Sequence, residues 1–244
     1  MDSQSTANSS QVAPAAASPQ ETDTLKQLRA FLSKHSDLDV LRHWSTDPLP
    51  GAPIILDEAV GVFPDLEWYD NSRMPNVPSK ITKVGLTIFP MTALQQCKSP
   101  ADFSTRIKQA EVFHLRILDN CHMRNKSHGF EDAEKNSLYC KTRFIAEDEV
   151  QQIFVDILNN QKTKDGSKAP VILVGHGWNH DEEQLKKHWK FNINKLDSVV
   201  YKVHTLAKPA QQAGIIPVPD RAAGQSNPKF DDMLAGFGID LDGL

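Results

Sequence analysis

Hydrophobic residues are unevenly spread along this chain. Residues 1–21 hold Ser, Ala, Gln, Pro and Thr with almost no large apolar side chain. Such a stretch buries too little surface to offset its ordering entropy, so a disordered low-complexity tail is expected. Residues 22–46 differ. Leu25, Leu28, Phe31 and Leu32 recur at helical spacing, and Leu38, Leu41 and Trp44 do so again, predicting a short helical hairpin broken near Ser36. Pro48, Pro50 and Pro53 mark a connector.

From residue 54 the period changes. Ile54-Ile55-Leu56 and Val60–Phe63 are short apolar runs, read as strand, and Pro75, Asn76 and Pro78 mark a loop after strand one. Lys80–Phe89 alternates, with Val84, Leu86 and Ile88 on one face and Lys83 and Thr87 on the other. Glu111–Leu118 alternates through Val112, Leu115 and Ile117, which suggests a three-stranded antiparallel meander. Residues 120–145 are polar and irregular. Val150, Ile153, Phe154, Ile157 and Leu158 then predict an amphipathic helix over 147–160. Val171–Val174 is a continuous apolar run, expected of a central strand covered on both faces. A helix over 181–189 with Leu185 and Trp189 inward, a strand over 198–201, a loop over 207–227 and a last helix over 228–235 complete the reading. The order β-β-β-α-β-α-β-α predicts an α/β fold: a mixed sheet with helices on its faces, spanning residues 54–244.

The chemistry centres on Asp65-Leu66-Glu67. Side chains two apart on a strand share a face, so both carboxylates can point at one divalent cation. Asp181, past the Val171–Val174 strand, is a third candidate ligand. Composition adds little: net charge is −4 with a pI near 6.1, so any nucleic-acid contact has to be local. Cys97, Cys121 and Cys140 form no CxxC pair and read as reduced intracellular thiols. With no signal-peptide core and no apolar run of membrane-spanning length, the chain reads as soluble and intracellular, cytoplasmic or nuclear.

Four segments carry a resemblance: Val62-Phe63-Pro64-Asp65-Leu66-Glu67-Trp68-Tyr69, Ile81-Thr82-Lys83-Val84-Gly85-Leu86, Phe113-His114-Leu115-Arg116-Ile117 and Val174-Gly175-His176-Gly177-Trp178-Asn179-His180-Asp181. Through them residues 54–240 resemble the DEDD-type 3′–5′ exonuclease superfamily on the ribonuclease-H-like fold, and within it a fungal branch of exonuclease-like C-terminal domains. The resemblance implies a two-metal site for Mg²⁺ or Mn²⁺, with Asp65, Glu67 and Asp181 as catalytic metal ligands acting on RNA or single-stranded DNA. No membrane partner is expected, since no apolar run reaches spanning length. The resemblance also implies a final H-x-x-x-x-D motif. Neither His188 nor His204 starts one, and Asp231, Asp232, Asp240 and Asp242 have no nearby His. Lys83 stands where the family often has Glu. Two explanations are open for the missing motif: a truncated product, which is expected, or a natural pseudo-enzyme that binds nucleic acid or protein partners.

Other readings stay open beside these. Trp68 and Tyr69 can stack on a nucleobase or pack as a strand-end pair. His176 is a further candidate nucleic-acid contact; His176 and His180 have the i, i+4 spacing of helical zinc ligands, but Gly177 and Asn179 argue against a helix there. Asp181 can simply cap its helix, and His114 with Arg116 can be an interior polar pair. Arg124–His128 can touch phosphates or be a solvated loop.

Overall fold

A computed structural model of the chain describes residues 19–45, 47–69, 78–97, 102, 105–123 and 140–218. Residues 1–18 of the expected tail, the loop at Pro75 and Asn76, the segment Arg124–His128, the helix at 228–235 and the late acids lie outside these residues, whereas residues 19–21, expected in the tail, are the first turn of a helix.

Strand β1 (Val60–Tyr69) is the spine of a six-stranded sheet ordered β4-β3-β2-β1-β5-β6. β2 (Lys80–Pro90) pairs antiparallel with β1, and β3 (Glu111–Ile117) antiparallel with β2. β5 (Val171–Val174) joins β1 in parallel, and β6 (Val199–Val203) joins β5 in parallel. At the far edge β4 (Thr142–Ile145) pairs parallel with β3. Three antiparallel strands followed by parallel crossover units make the mixed sheet expected from the pattern, in the ribonuclease-H-like form that the resemblance implies.

Alternation decides which residues face which layer. Val62 and Leu66 of β1, Val84 and Leu86 of β2, and Leu115 and Ile117 of β3 bury in one core. Helix α3 (Glu147–Asn159) covers that face with Val150, Phe154 and Leu158. The Phe154 ring meets Trp189 and Phe191 edge-on, at centroid distances of 6.0 and 5.8 Å. The opposite face is covered at one end by α1 (Pro19–Leu32) and α2 (Asp37–Arg42). Their Leu25, Leu28, Leu32 and Val40, with Trp44, share a second core with Phe89, Ile172, Val174, Val200 and Val203. Ser36 and Asp39 form a capping box that starts α2 and sets the break between the helices. Arg29 ties α1 down by donating to the carbonyls of Leu196 and Val199, each at 2.9 Å, and Tyr201 Oη donates to Asp37 Oδ1 at 2.9 Å. Both N-terminal helices therefore pack on the sheet.

Three expectations are corrected. Ile54–Glu58 is a 3₁₀ turn rather than strand, with Ile54 84% exposed. The run follows Pro53 and has no strand neighbour to pair with. Thr142–Ile145, read as irregular, is an edge strand whose Arg143 and Phe144 stay exposed, so it carries no apolar alternation to detect. Ala207–Gln212, read as loop, is a short helix, α5; its Pro209 lies in the first turn, where the backbone N–H has no intrahelical partner to lose.

Candidate functional site

Pro64 sits inside a central strand, where a missing N–H normally costs a ladder bond. Backbone N–H direction alternates along a strand. Val60 donates toward β5, to Pro170 O at 2.9 Å, so the N–H positions of residues 62, 64 and 66 face the same side. The β1–β5 ladder stops at the Val62–Leu173 pair. Pro64 therefore lies just where no strand partner remains, and Leu66 is the next donor on that open edge.

Asp181 satisfies it. The Leu66 N–H donates to Asp181 Oδ1 at 3.0 Å, across 115 positions of sequence. The chain reaches this point through a tight passage after β5. Gly175 lies against the start of helix α4 (Trp178–Gln184), where a Cβ would come within 2.6 Å of the Trp178 Cβ. Gly177 takes φ +75, a left-handed conformation that a glycine adopts without strain, and leads into the helix. Asp181 falls in the first turn of α4 rather than at its cap, which Gly177 occupies. The capping alternative is thus set aside for a bond across to β1. α4 begins three residues earlier than the pattern suggested and runs into a π-helical turn over Leu185–Trp189, with Leu185 and Trp189 buried as expected.

The neighbouring acid faces elsewhere. Glu182 pairs with Lys186 at 3.1 Å and with Lys202 at 3.0 Å, and it accepts from Asn194. Burial works to raise its carboxyl, but the two lysines outweigh this and hold it below the usual range. Asp181 makes no such lysine pair among the described residues, and of nearby charges only His180 opposes its rise. Burial, and then the negative charge of Asp65, push its carboxyl up to about 7 against the opposing bond from Leu66.

Asp65 and Glu67 lie on the sheet face opposite Leu66. Cross-strand register places each at the head of a row. Asp65 pairs with Gly85, Gly85 with His114, and His114 with Thr142. Glu67 pairs with Lys83, Lys83 with Arg116, and Arg116 with Phe144. A bulge follows Glu67, since Thr82 is passed over and donates its hydroxyl to Glu67 O at 3.1 Å. Asp65 stays in contact with solvent, yet the protein around it raises its carboxyl, opposed by the charges of His114 and Lys83. His114, bonded through Nδ1 to Thr142 Oγ1 at 2.7 Å, is held below its ordinary value by burial, Lys83 and Arg116.

The structure thus couples Asp65 to Asp181 and to His114. Among the described residues no three or more of His, Cys, Asp and Glu form a metal-holding group. Glu67 stands one row along, across from Lys83. The aromatic pair is divided: Trp68 packs against the main core, while Tyr69 returns to the face of Asp65 and Glu67. His176 is exposed just past β5, with Nδ1 3.5 Å from Thr205 Oγ1. It precedes α4, so His176 and His180 do not share a helix face. Of the polar pair on β3, Arg116 is buried and donates to Cys121 O at 2.5 Å, and His114 belongs to the acidic site. The pattern had placed His114 and Arg116 on one face without linking them to Asp65. Pairing the alternation of β2 with that of β3 is the signal that joins them.

Comparison with known proteins adds the following. The profile of the DNA polymerase III subunit epsilon-like, C-terminal domain family matches residues 62–212, a span that holds Asp65, Glu67 and Asp181. No curated protein matches the sequence. One solved structure that aligns is the nuclease domain of 3'hExo, a DEDDh family member, bound to rAMP; the TM-score is 0.41 at 14% identity, covering 76% of this chain and 82% of that one. The family profile covers more than half of the 244 residues, from β1 through α5. The chain belongs to the DEDDh family of DNA polymerase III subunit epsilon-like C-terminal domains.

Proposed function

We propose that this chain is a 3′–5′ exonuclease-like domain that binds RNA or single-stranded DNA, with Asp65, Asp181 and Glu67 as its ligands for Mg²⁺ or Mn²⁺. The observation that carries this reading is the Leu66–Asp181 bond, which brings a buried carboxylate from α4 beside Asp65 on β1. An acid whose proton affinity is raised by burial and by a neighbouring carboxylate marks a site where a cation is favoured. Carboxylate oxygens are the donors that hard divalent ions take. When bound there, such an ion supplies Lewis-acid stabilisation for phosphodiester hydrolysis. The chain's own contribution is positional. The open edge of β1 orients Asp181, and Gly175 and Gly177 set the entry of α4. Tyr69 lies on the same sheet face as Asp65, where a terminal base can stack.

A second reading has its own observation. Glu67 faces Lys83, and no three acids converge among the described residues, which suits a ribonuclease-H-like module that binds nucleic acid without cutting it.

Manganese titration of the purified chain and of Asp65→Asn, followed by electron paramagnetic resonance, tests the first reading beside a labelled single-stranded RNA assay. Binding that Asp65→Asn weakens, with shortening from the 3′ end, supports it. Salt-dependent RNA binding without shortening supports the second. Manganese binding unchanged by Asp65→Asn and no shortening overturn the exonuclease reading.

A further inference from the structure

Outside the acids the molecule holds a 330 Å³ cavity between α1 and β6, a basic cluster around His188, and a cationic row beside the acids. In the first, Arg29 is spent on backbone carbonyls and Lys202 on Glu182 and Asn194. In the second, nothing selects a ligand. The third goes further.

The open sheet face holds cations as well as acids. Lys83 is directly across from Glu67, and Arg116 directly across from Lys83. Side chains paired this way have Cβ atoms about 5 Å apart, so a Lys–Glu pair interacts without any loop rearrangement. Lys83 also reaches the next row: Gly85 pairs with both Asp65 and His114, so Lys83, two residues along β2 on the same face, is the diagonal neighbour of each, about 7–8 Å away. Its position is over-determined. β2 is paired on both sides at Lys83, and the bulge at Thr82, tied to Glu67 O, locks the register. A slip of one residue would carry Val84 out of the core and Lys83 into it. Gly85 presents no side chain between Asp65 and His114; a Cβ there would only graze Asp65 at 3.7 Å. The floor of that row is therefore open between Asp65 and His114.

We propose that Lys83 is an internal counter-ion of this carboxylate site, a built-in cation that competes with divalent metal for Glu67 and Asp65 and sets the metal affinity low. This rests on the metal-site reading above. It adds that the affinity is limited by a residue that is not itself a ligand. Lys83 is a positioning and competing residue. A unit positive charge a few ångströms from a divalent ion repels it strongly even at the effective dielectric of a protein surface.

The test is Mn²⁺ affinity, measured by electron paramagnetic resonance without substrate, in wild type, Lys83→Met, Lys83→Arg, Asp65→Asn and Asp65→Asn/Lys83→Met. Lys83→Met keeps the stem that covers the sheet and removes the charge. It is expected to bind Mn²⁺ at least about tenfold tighter than wild type. Lys83→Arg keeps the charge and is expected to match wild type. The double variant is expected to lose the gain. Thermal unfolding of each variant reports that the fold is kept, and Lys83→Gln replaces Lys83→Met if the latter unfolds. Equal affinity in wild type and Lys83→Met, both weakened by Asp65→Asn, overturns the counter-ion role and leaves the metal site standing. No Mn²⁺ binding by wild type or any Lys83 variant overturns both.

Discussion

Asp181→Asn isolates the charge at the centre of the site. Asparagine keeps an Oδ1 acceptor for the Leu66 N–H and changes volume little. What it removes is a buried negative charge beside Asp65. The carboxyl of Asp181 rises from 3.8 to about 7 on folding, chiefly through burial and then through Asp65. At ~1.36 kcal/mol per pH unit, such a rise corresponds to about 4 kcal/mol of destabilisation when the group is ionised in both states. Because the folded value is raised, the protein is least burdened below about pH 4, where Asp181 is protonated folded and unfolded. Stability is lost as pH rises toward 7 and levels off above it. Asparagine escapes this loss, so its stability advantage over wild type grows by about 2–3 kcal/mol between pH 5 and pH 8. For a domain of this size that is a rise in Tm of about 5–10 °C at pH 8 beyond any difference at pH 5. Urea and thermal unfolding in chelator at the two pH values measure it. Added Mn²⁺ should narrow the gap by stabilising the wild type alone. An advantage that does not change with pH, or a destabilisation at pH 8, refutes the view that Asp181 is held in an unfavourable ionised state.

Three further outcomes follow from the packing. Gly175→Ala places a Cβ 2.6 Å from the Trp178 Cβ, so it should cost about 1–3 kcal/mol in urea unfolding and weaken Mn²⁺ binding by displacing Asp181. Phe154→Ala empties the contact with Trp189 and Phe191 and should cost about 3–5 kcal/mol, read from the urea midpoint. Arg29→Ala frees the carbonyls of Leu196 and Val199 and should cost about 1–3 kcal/mol; amide exchange should speed up across α1 and β6 while β1–β3 stay protected.

No helix among the described residues is long and apolar enough to cross a membrane.

Much of the sheet was legible from local pattern. Alternation in Lys80–Phe89 and Glu111–Leu118, the apolar run at Val171–Val174 and the helical period from Val150 to Leu158 each mark an element that buries one face, and burial is what periodicity encodes. Elements that bury little left no such mark. β4 pairs by backbone bonds with two of its residues exposed, and α5 begins at residues whose proline suggested loop. The Ile54–Leu56 run misled for the converse reason: apolar composition without a neighbouring strand does not make a ladder.

The carboxylates divide in the same way. That Asp65 and Glu67 share a face follows from the two-residue period of a strand, and the pattern alone settles it. That Asp181 bonds the Leu66 N–H depends on where β5 stops, on Pro64 at the gap and on glycines that admit α4, all non-local. That Glu67 faces a lysine, and Asp65 a histidine across a glycine, depends on the register of three strands. Register is a property of paired chains, fixed by the sum of core contacts and one bulge. No single segment carries it, so the acids could be read from the sequence, whereas the cations beside them emerge only once the strands are paired.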